Sequence, residues 1–153
     1  MELPQNFDTL GPAALKVVGF QLWVHGRQFP DVQDKWDADW LNVTAHCGAN
    51  GASVLISGAI LMTTDIEHWA AQCQRLSQEG SGEALLDPYE PNLRICIRPY
   101  DRRGHLLMHV DITPDHSKQQ HAFDFDIDLS YLPNIMKQCW AILREYPVPG
   151  SRP

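Results

Sequence analysis

The sequence predicts an α+β fold: a mainly antiparallel sheet of about six to seven strands, with two amphipathic helices packed on one face. Three observations lead there. Most apolar residues recur at every second position in short runs, the period of a half-buried strand. Only two stretches carry an apolar stripe at helical spacing. The links between most of the strand-like runs are of hairpin length, which makes neighbouring strands antiparallel. All 153 residues are read as a single α+β domain (1–153), in which 1–15 form a loose N-terminal lead-in of mixed Pro, Gly and polar residues. A chain of this length buries roughly two thirds of its unfolded surface and needs no metal or disulfide to hold it.

Taken in order, KVVGFQLWVHG alternates Val18, Phe20, Leu22 and Val24 with Gly19, Gln21, Trp23 and His25, as a strand does. RQFPDVQDKWDAD has a proline, closely spaced charges and no sustained period, and reads as loop. From Trp40 a hairpin begins, with Leu41, Val43, Ala45 and Cys47 on one face. Asn50-Gly51 is a preferred pair for a tight turn with positive φ, and ASVLISGAILM is the returning arm, where Gly58 marks a candidate bulge. TTDIEHWAAQCQRLSQEG is the first helix. Thr64 to Glu67 reads as a capping box, Ile66, Trp69, Ala70, Cys73 and Leu76 form its stripe, and Gly80 ends it. GEALLDPYEPNLRICIRPY holds a short strand, a Pro-rich corner and a strand with Leu93, Ile95 and Ile97 on one side. HLLMHVDIT and HAFDFDIDL follow as strands; the second sets Phe123, Phe125, Ile127 and Leu129 against a row of Asp124, Asp126 and Asp128. SYLPNIMKQCWAILREYP is the second helix, with Ser130 as N-cap and Pro133 in the first turn, where its missing N–H costs nothing. With both helices on one sheet face, the opposite face is expected to be wet and to carry Asn42, Thr44, Arg94, His109, Asp111 and the aspartate row.

Nineteen acidic residues against twelve Lys and Arg give a net charge of −7. No basic footprint exists for a nucleic-acid partner, whereas a basic protein partner would be steered toward such a chain. Cys47, Cys73, Cys96 and Cys139 form no CxxC pair and lie in apolar or periodic segments, which points to free buried thiols and a reducing cytoplasm. The N-terminus lacks a basic start followed by an apolar run, and no stretch approaches the ~18 uninterrupted apolar residues of a membrane helix. Neither a signal peptide nor a membrane span is expected.

Chemistry is sparse. There is no HExxH or HxxxH helix, no nucleophile elbow and no phosphate-cradling glycine loop, so no catalytic, cofactor-binding or metal-binding residue is predicted. His105 and His109 fall on one strand face about 13–14 Å apart, too far to share an ion. The candidates that remain are for partner binding. They are Asp31, Asp34, Trp36, Asp37, Asp39 and Trp40, around the segment WDADW, and the row Asp124, Asp126 and Asp128. One tryptophan of WDADW is expected in the core and the other partly exposed, since exposed tryptophan beside carboxylates is typical hot-spot chemistry. The row could instead be neutralised across strands by Arg94 and Arg98. Two other classes stay open: a small-molecule or carbohydrate-binding module using Trp36 and Trp40, and a hydrolase with an unrecognised site. An exposed terminal strand leaves homodimerisation open without predicting it.

The linear order GRQFPD, WDADWLNV, the Gly-rich hairpin, LMTTDIEHWAAQCQRL, YEPNL and FDFDIDLSYLPNIMKQCWAILREYPVPG resembles the WapI-like immunity proteins of bacteria. The resemblance spans roughly Phe20 to Gly150. It implies a small acidic cytoplasmic protein that binds and neutralises the toxic domain, often a nuclease, of a polymorphic toxin. It implies no catalytic residues.

Overall fold

The structure, a computed structural model, describes residues 7–150. Eight strands make two antiparallel sheets, each a meander in chain order. The first sheet holds β1 (Leu15–Val17), β2 (Phe20–Arg27), β3 (Trp40–Ala49) and β4 (Ala52–Met62). The second holds β5 (Ala84–Leu86), β6 (Leu93–Pro99), β7 (His105–Ile112) and β8 (Ala122–Asp128). A single helical turn, α1 (Lys35–Asp39), precedes β3; α2 (Thr63–Glu79) joins the two sheets; α3 (Leu132–Glu145) follows β8 and packs on α2. The α+β class and the two amphipathic helices stand as predicted. The one sheet expected from the hairpin links is two. β4 runs into α2 with no intervening residue, and that 17-residue helix carries the chain away from the first ladder before pairing resumes. β5 therefore pairs with β6 and not with β4.

One cluster of buried side chains runs through both sheets and both long helices. Leu41, Val43, Ala45 and Cys47 of β3 face it, as do Leu106, Met108, Val110 and Ile112 of β7 and the α2 stripe of Ile66, Trp69, Ala70, Cys73 and Leu76. All four cysteines are free and buried. Burial pushes the Cys47 and Cys73 thiols up to about 12, and the Cys139 thiol higher still, so they act as small apolar groups.

Several local expectations are corrected. The run read as one strand from Val18 is a hairpin: Val17 pairs with Phe20 around Val18-Gly19. Val18 takes φ 47°, a strained conformation for a β-branched residue, and points outward while Val17 faces in. RQFPDVQDKWDAD is not all loop, because the Asp34 carboxylate accepts the amides of Trp36 and Asp37 (2.9 and 3.0 Å) and caps α1. The bulge lies at Ile60, two residues beyond Gly58. The Thr64–Glu67 capping box does not form; Asp65 accepts the Met62 amide at 2.8 Å instead. Asp128, not Ser130, caps the turn leading into α3, by accepting the Ser130 amide at 2.8 Å. The Asn50-Gly51 turn and the Gly80 helix end are as read from the sequence, with φ of 51°, 88° and 69°. The expected wet face is partly closed: Thr44 is fully buried, its hydroxyl 2.8 Å from His25 Nε2 and 2.7 Å from the Ser57 hydroxyl. Part of the lead-in is tied down there, since the Trp23 indole donates to the Gly11 carbonyl at 3.0 Å.

Gly19 sits where the second sheet meets the first. A methyl group there would overlap the Gly48 carbonyl oxygen and stand 2.8 Å from the Phe125 ring. Gly19→Ala is expected to lower stability by ~1–3 kcal/mol, as overpacking against backbone does. A urea midpoint equal to wild type would show that the two sheets can part there without cost.

Candidate functional site

The cap at Asp34 decides what WDADW does. It starts a single turn in which Trp36 and Asp37 face solvent and Asp39 faces the protein. Trp36 is 50% exposed and Trp40 is 9% exposed, which divides the pair between surface and core as expected from the sequence. Trp36 bridges two rings edge-on: Trp40 at 5.9 Å and Tyr89 at 5.2 Å between centroids. Tyr89 stands in the Pro-rich corner between β5 and β6 and is 74% exposed.

Asp39 is 4% exposed and fully engaged. One carboxylate oxygen accepts the Thr63 hydroxyl and the Thr64 amide (3.3 Å), and the other accepts the Thr64 hydroxyl at 2.7 Å. The carboxylate thus sits at the N-terminus of α2, where unpaired amides favour negative charge. The Asp65 carboxyl lies beside it. Burial, then repulsion from Asp39 and Asp87, raises its proton affinity above the usual carboxylate range, against the pull of the Met62 amide and His68. Between these groups opens a cleft of about 520 Å³ whose walls include Trp36, Tyr89, Asp65, Asp87, His68 and Lys35. It adjoins a hollow of about 420 Å³ that shares Asp65, His68 and Asp87 and adds Glu83.

The aspartate row lies on the outer face of the second sheet, all three side chains exposed. Its partners are not Arg94 and Arg98, because β7 lies between β6 and β8. Asp124 faces His109, 2.6 Å from its Nδ1; Asp126 faces Leu107; Asp128 faces His105 in the ladder. His109 Nε2 is also 3.1 Å from Asp111, which lies 3.9 Å from Arg94, which in turn is 3.9 Å from Asp87. A strip of alternating charge therefore crosses the sheet from the aspartate row to the rim of the cleft. Hydrogen bonding to Asp124, assisted by Asp111, raises the His109 pKa, and Asp101, 2.5 Å from His105, raises that of His105. Asp31 lies exposed on the loop before α1, apart from this strip.

Of the residues singled out in the sequence, the structure brings Trp36 and Asp39 together at the cleft, with Trp40 buried against Trp36, and places Asp124, Asp126 and Asp128 at the far end of the strip. Tyr89, Asp65, Asp87 and His68 are not among the partner-binding candidates read from the sequence; for Tyr89, an aromatic residue between two prolines was the one available signal. Among the described residues no three His, Cys, Asp or Glu side chains converge as a metal site, and no helix is long and apolar enough to cross a membrane.

The cleft thus joins a half-exposed aromatic cluster to a set of carboxylates. The chain belongs to the immunity protein WapI-like family, whose model matches residues 15–147, from the first residue of β1 to just beyond α3. No curated protein and no solved structure matches it.

Asp39→Ala is expected to destabilise the fold by about 2–4 kcal/mol, because two hydroxyls and a helix-start amide lose a charged acceptor. Asp37→Ala, two residues away and exposed, should stay within ~0.5 kcal/mol of wild type. Equal denaturation midpoints for the two variants would refute the assignment of Asp39 as the tie between α1 and α2. For His109, a raised folded-state pKa means that the interaction stabilises fully below about pH 6.5 and is lost as pH climbs through the raised value. Stability should accordingly fall more between pH 6 and 8 in wild type than in His109→Gln, with the His109 ring protons titrating above pH 6.5 by NMR; parallel pH profiles would contradict this.

Proposed function

We propose that the protein is a bacterial immunity protein that binds the toxic domain of a cognate polymorphic toxin in the cytoplasm and neutralises it by stoichiometric occlusion, without turnover and without a cofactor. The observation that carries the reading is the family match over 15–147, which takes in both sheets and both long helices.

The chemistry of the surface supports it. A toxin domain that cleaves nucleic acid must hold phosphates and is commonly basic. This chain carries a net charge of −7, and much of it is displayed on exposed carboxylates around α1 and along β8. Such a distribution steers a basic partner and orients it on encounter. Asp31, Asp34, Trp36 and Asp37 on one side, and Asp124, Asp126 and Asp128 on the other, are the proposed contact residues; Asp39 and Trp40 serve by holding α1 in place. A passive role also fits the cleft. Both oxygens of Asp39 accept from Thr63 and Thr64, which suits a structural carboxylate better than a free general base. Trp36 and Trp40 meet edge to face with Trp40 buried, so they do not offer the open flat platform of a sugar-binding module.

The test is co-expression of the chain with the toxin C-terminal domain encoded beside its gene. Growth should be restored, and a 1:1 complex should elute from a sizing column. The association rate should fall roughly tenfold or more between low and high salt. A toxin that remains fully active in the presence of excess protein overturns the proposal.

A further inference from the structure

We infer that the cleft between α1 and the β5–β6 corner is a receptor for one arginine side chain of the bound protein, stacked against Trp36 and Tyr89 with its guanidinium directed at Asp65 and Asp87. This rests on the immunity reading and specifies the chemistry of the partner.

The aromatic pair comes first. Trp36 and Tyr89 are large apolar rings from separate elements, held 5.2 Å apart at the mouth of one cavity and left 50% and 74% exposed. Among the described residues no Lys or Arg side chain is stacked on either of them. A tryptophan and a tyrosine this exposed offer ring surface to a planar cation, and arginine stacks on aromatic rings better than lysine does. The cavity, about 520 Å³, has room for the side chain.

The charge of the walls then selects the cation. Asp65 uses one oxygen on the Met62 amide at 2.8 Å, and its other oxygen has no hydrogen-bond or ion-pair partner among the described residues. Asp87 has only Arg94, at 3.9 Å, and Arg94 is shared with Asp111. Repulsion from Asp39 and Asp87 adds to the burial of Asp65, and among the described residues Asp65 makes no salt bridge to a Lys or Arg. Lys35 also lines the cleft, yet its stem and amine lie against Gly150, and among the described residues it makes no ion pair with Asp65 or Asp87. Two carboxylates beside two exposed rings suit the fork and the plane of a guanidinium together, whereas an ammonium uses only the charge.

The probes are N-acetyl-arginine amide, its lysine counterpart and its uncharged citrulline counterpart, titrated into the intact protein and followed by NMR at the Trp36 indole and the Tyr89 and Asp65 amides. Saturable shifts with arginine, at least three-fold weaker binding of lysine and none of citrulline are expected. Arginine shifts that match those of citrulline, or that persist in Tyr89→Ala, overturn the inference. In the toxin complex, Trp36→Ala and Asp65→Asn should each weaken affinity at least tenfold; Asp65→Asn keeps an acceptor for the Met62 amide and so the helix start. Unchanged affinity in both variants overturns the cleft as the contact and leaves immunity standing, whereas failure of the wild-type protein to neutralise overturns the immunity reading itself.

Discussion

The carboxylate of Asp39 is the constraint on which the rest of the structure turns. It lies at the junction of α1, β3 and α2 and accepts from both threonines that open α2. A buried carboxylate is tolerable only with such a set of donors around it. Its position fixes two things together. It anchors the N-terminus of the helix that separates the two sheets, and it sets the rotation of α1, so that Trp36 and Asp37 must face outward. Surface and foundation are thus coupled through one residue.

A second arrangement links the two acidic regions. The strip from Asp124 through His109, Asp111 and Arg94 to Asp87 alternates acid and base across β8, β7, β6 and the turn after β5. Each contact is solvent-exposed or partly so, and each is weak by itself. Their joint effect is to place a defined sequence of charges on a rigid sheet, with the row at one end and the cleft at the other. Rigidity matters for recognition, because a partner meets groups already ordered and less side-chain freedom is lost on binding.

Much of this was legible in the sequence, and the failures have physical causes. Period-2 alternation located β3, β6, β7 and β8, the return from Asn50-Gly51 located β4, and helical stripes located α2 and α3, because burial on one face imposes those periods directly. The Asn50-Gly51 turn was legible because only residues that tolerate positive φ suit it. The split into two sheets was not, since strand order depends on where a 17-residue helix delivers the chain, and periodicity does not encode that. The turn of α1 was hidden because one helical turn is too short to show a stripe. The capping of α2 was misassigned for a related reason: the acceptor for its threonines comes from Asp39, 24 and 25 positions earlier. For the candidate site, Trp36 and Trp40 stood out by composition, whereas Tyr89 and Asp87 reach it only through the fold.

The carboxylates of the cleft suit the interface proposed for it. Asp65 is held among Asp39, Asp87 and the low-dielectric wall of α2, which disfavours its charged form. An isolated fold gains nothing from this; a polar uncharged side chain at 65 could accept the Met62 amide without the repulsion. On the arginine proposal, a guanidinium entering the cleft would relieve that repulsion. On the same proposal the exposed rings would act in the same direction, because a partner seated on them removes ring area from water. A surface that is locally worse than it need be for stability, on a scaffold otherwise well packed, is what functional sites look like in energetic terms.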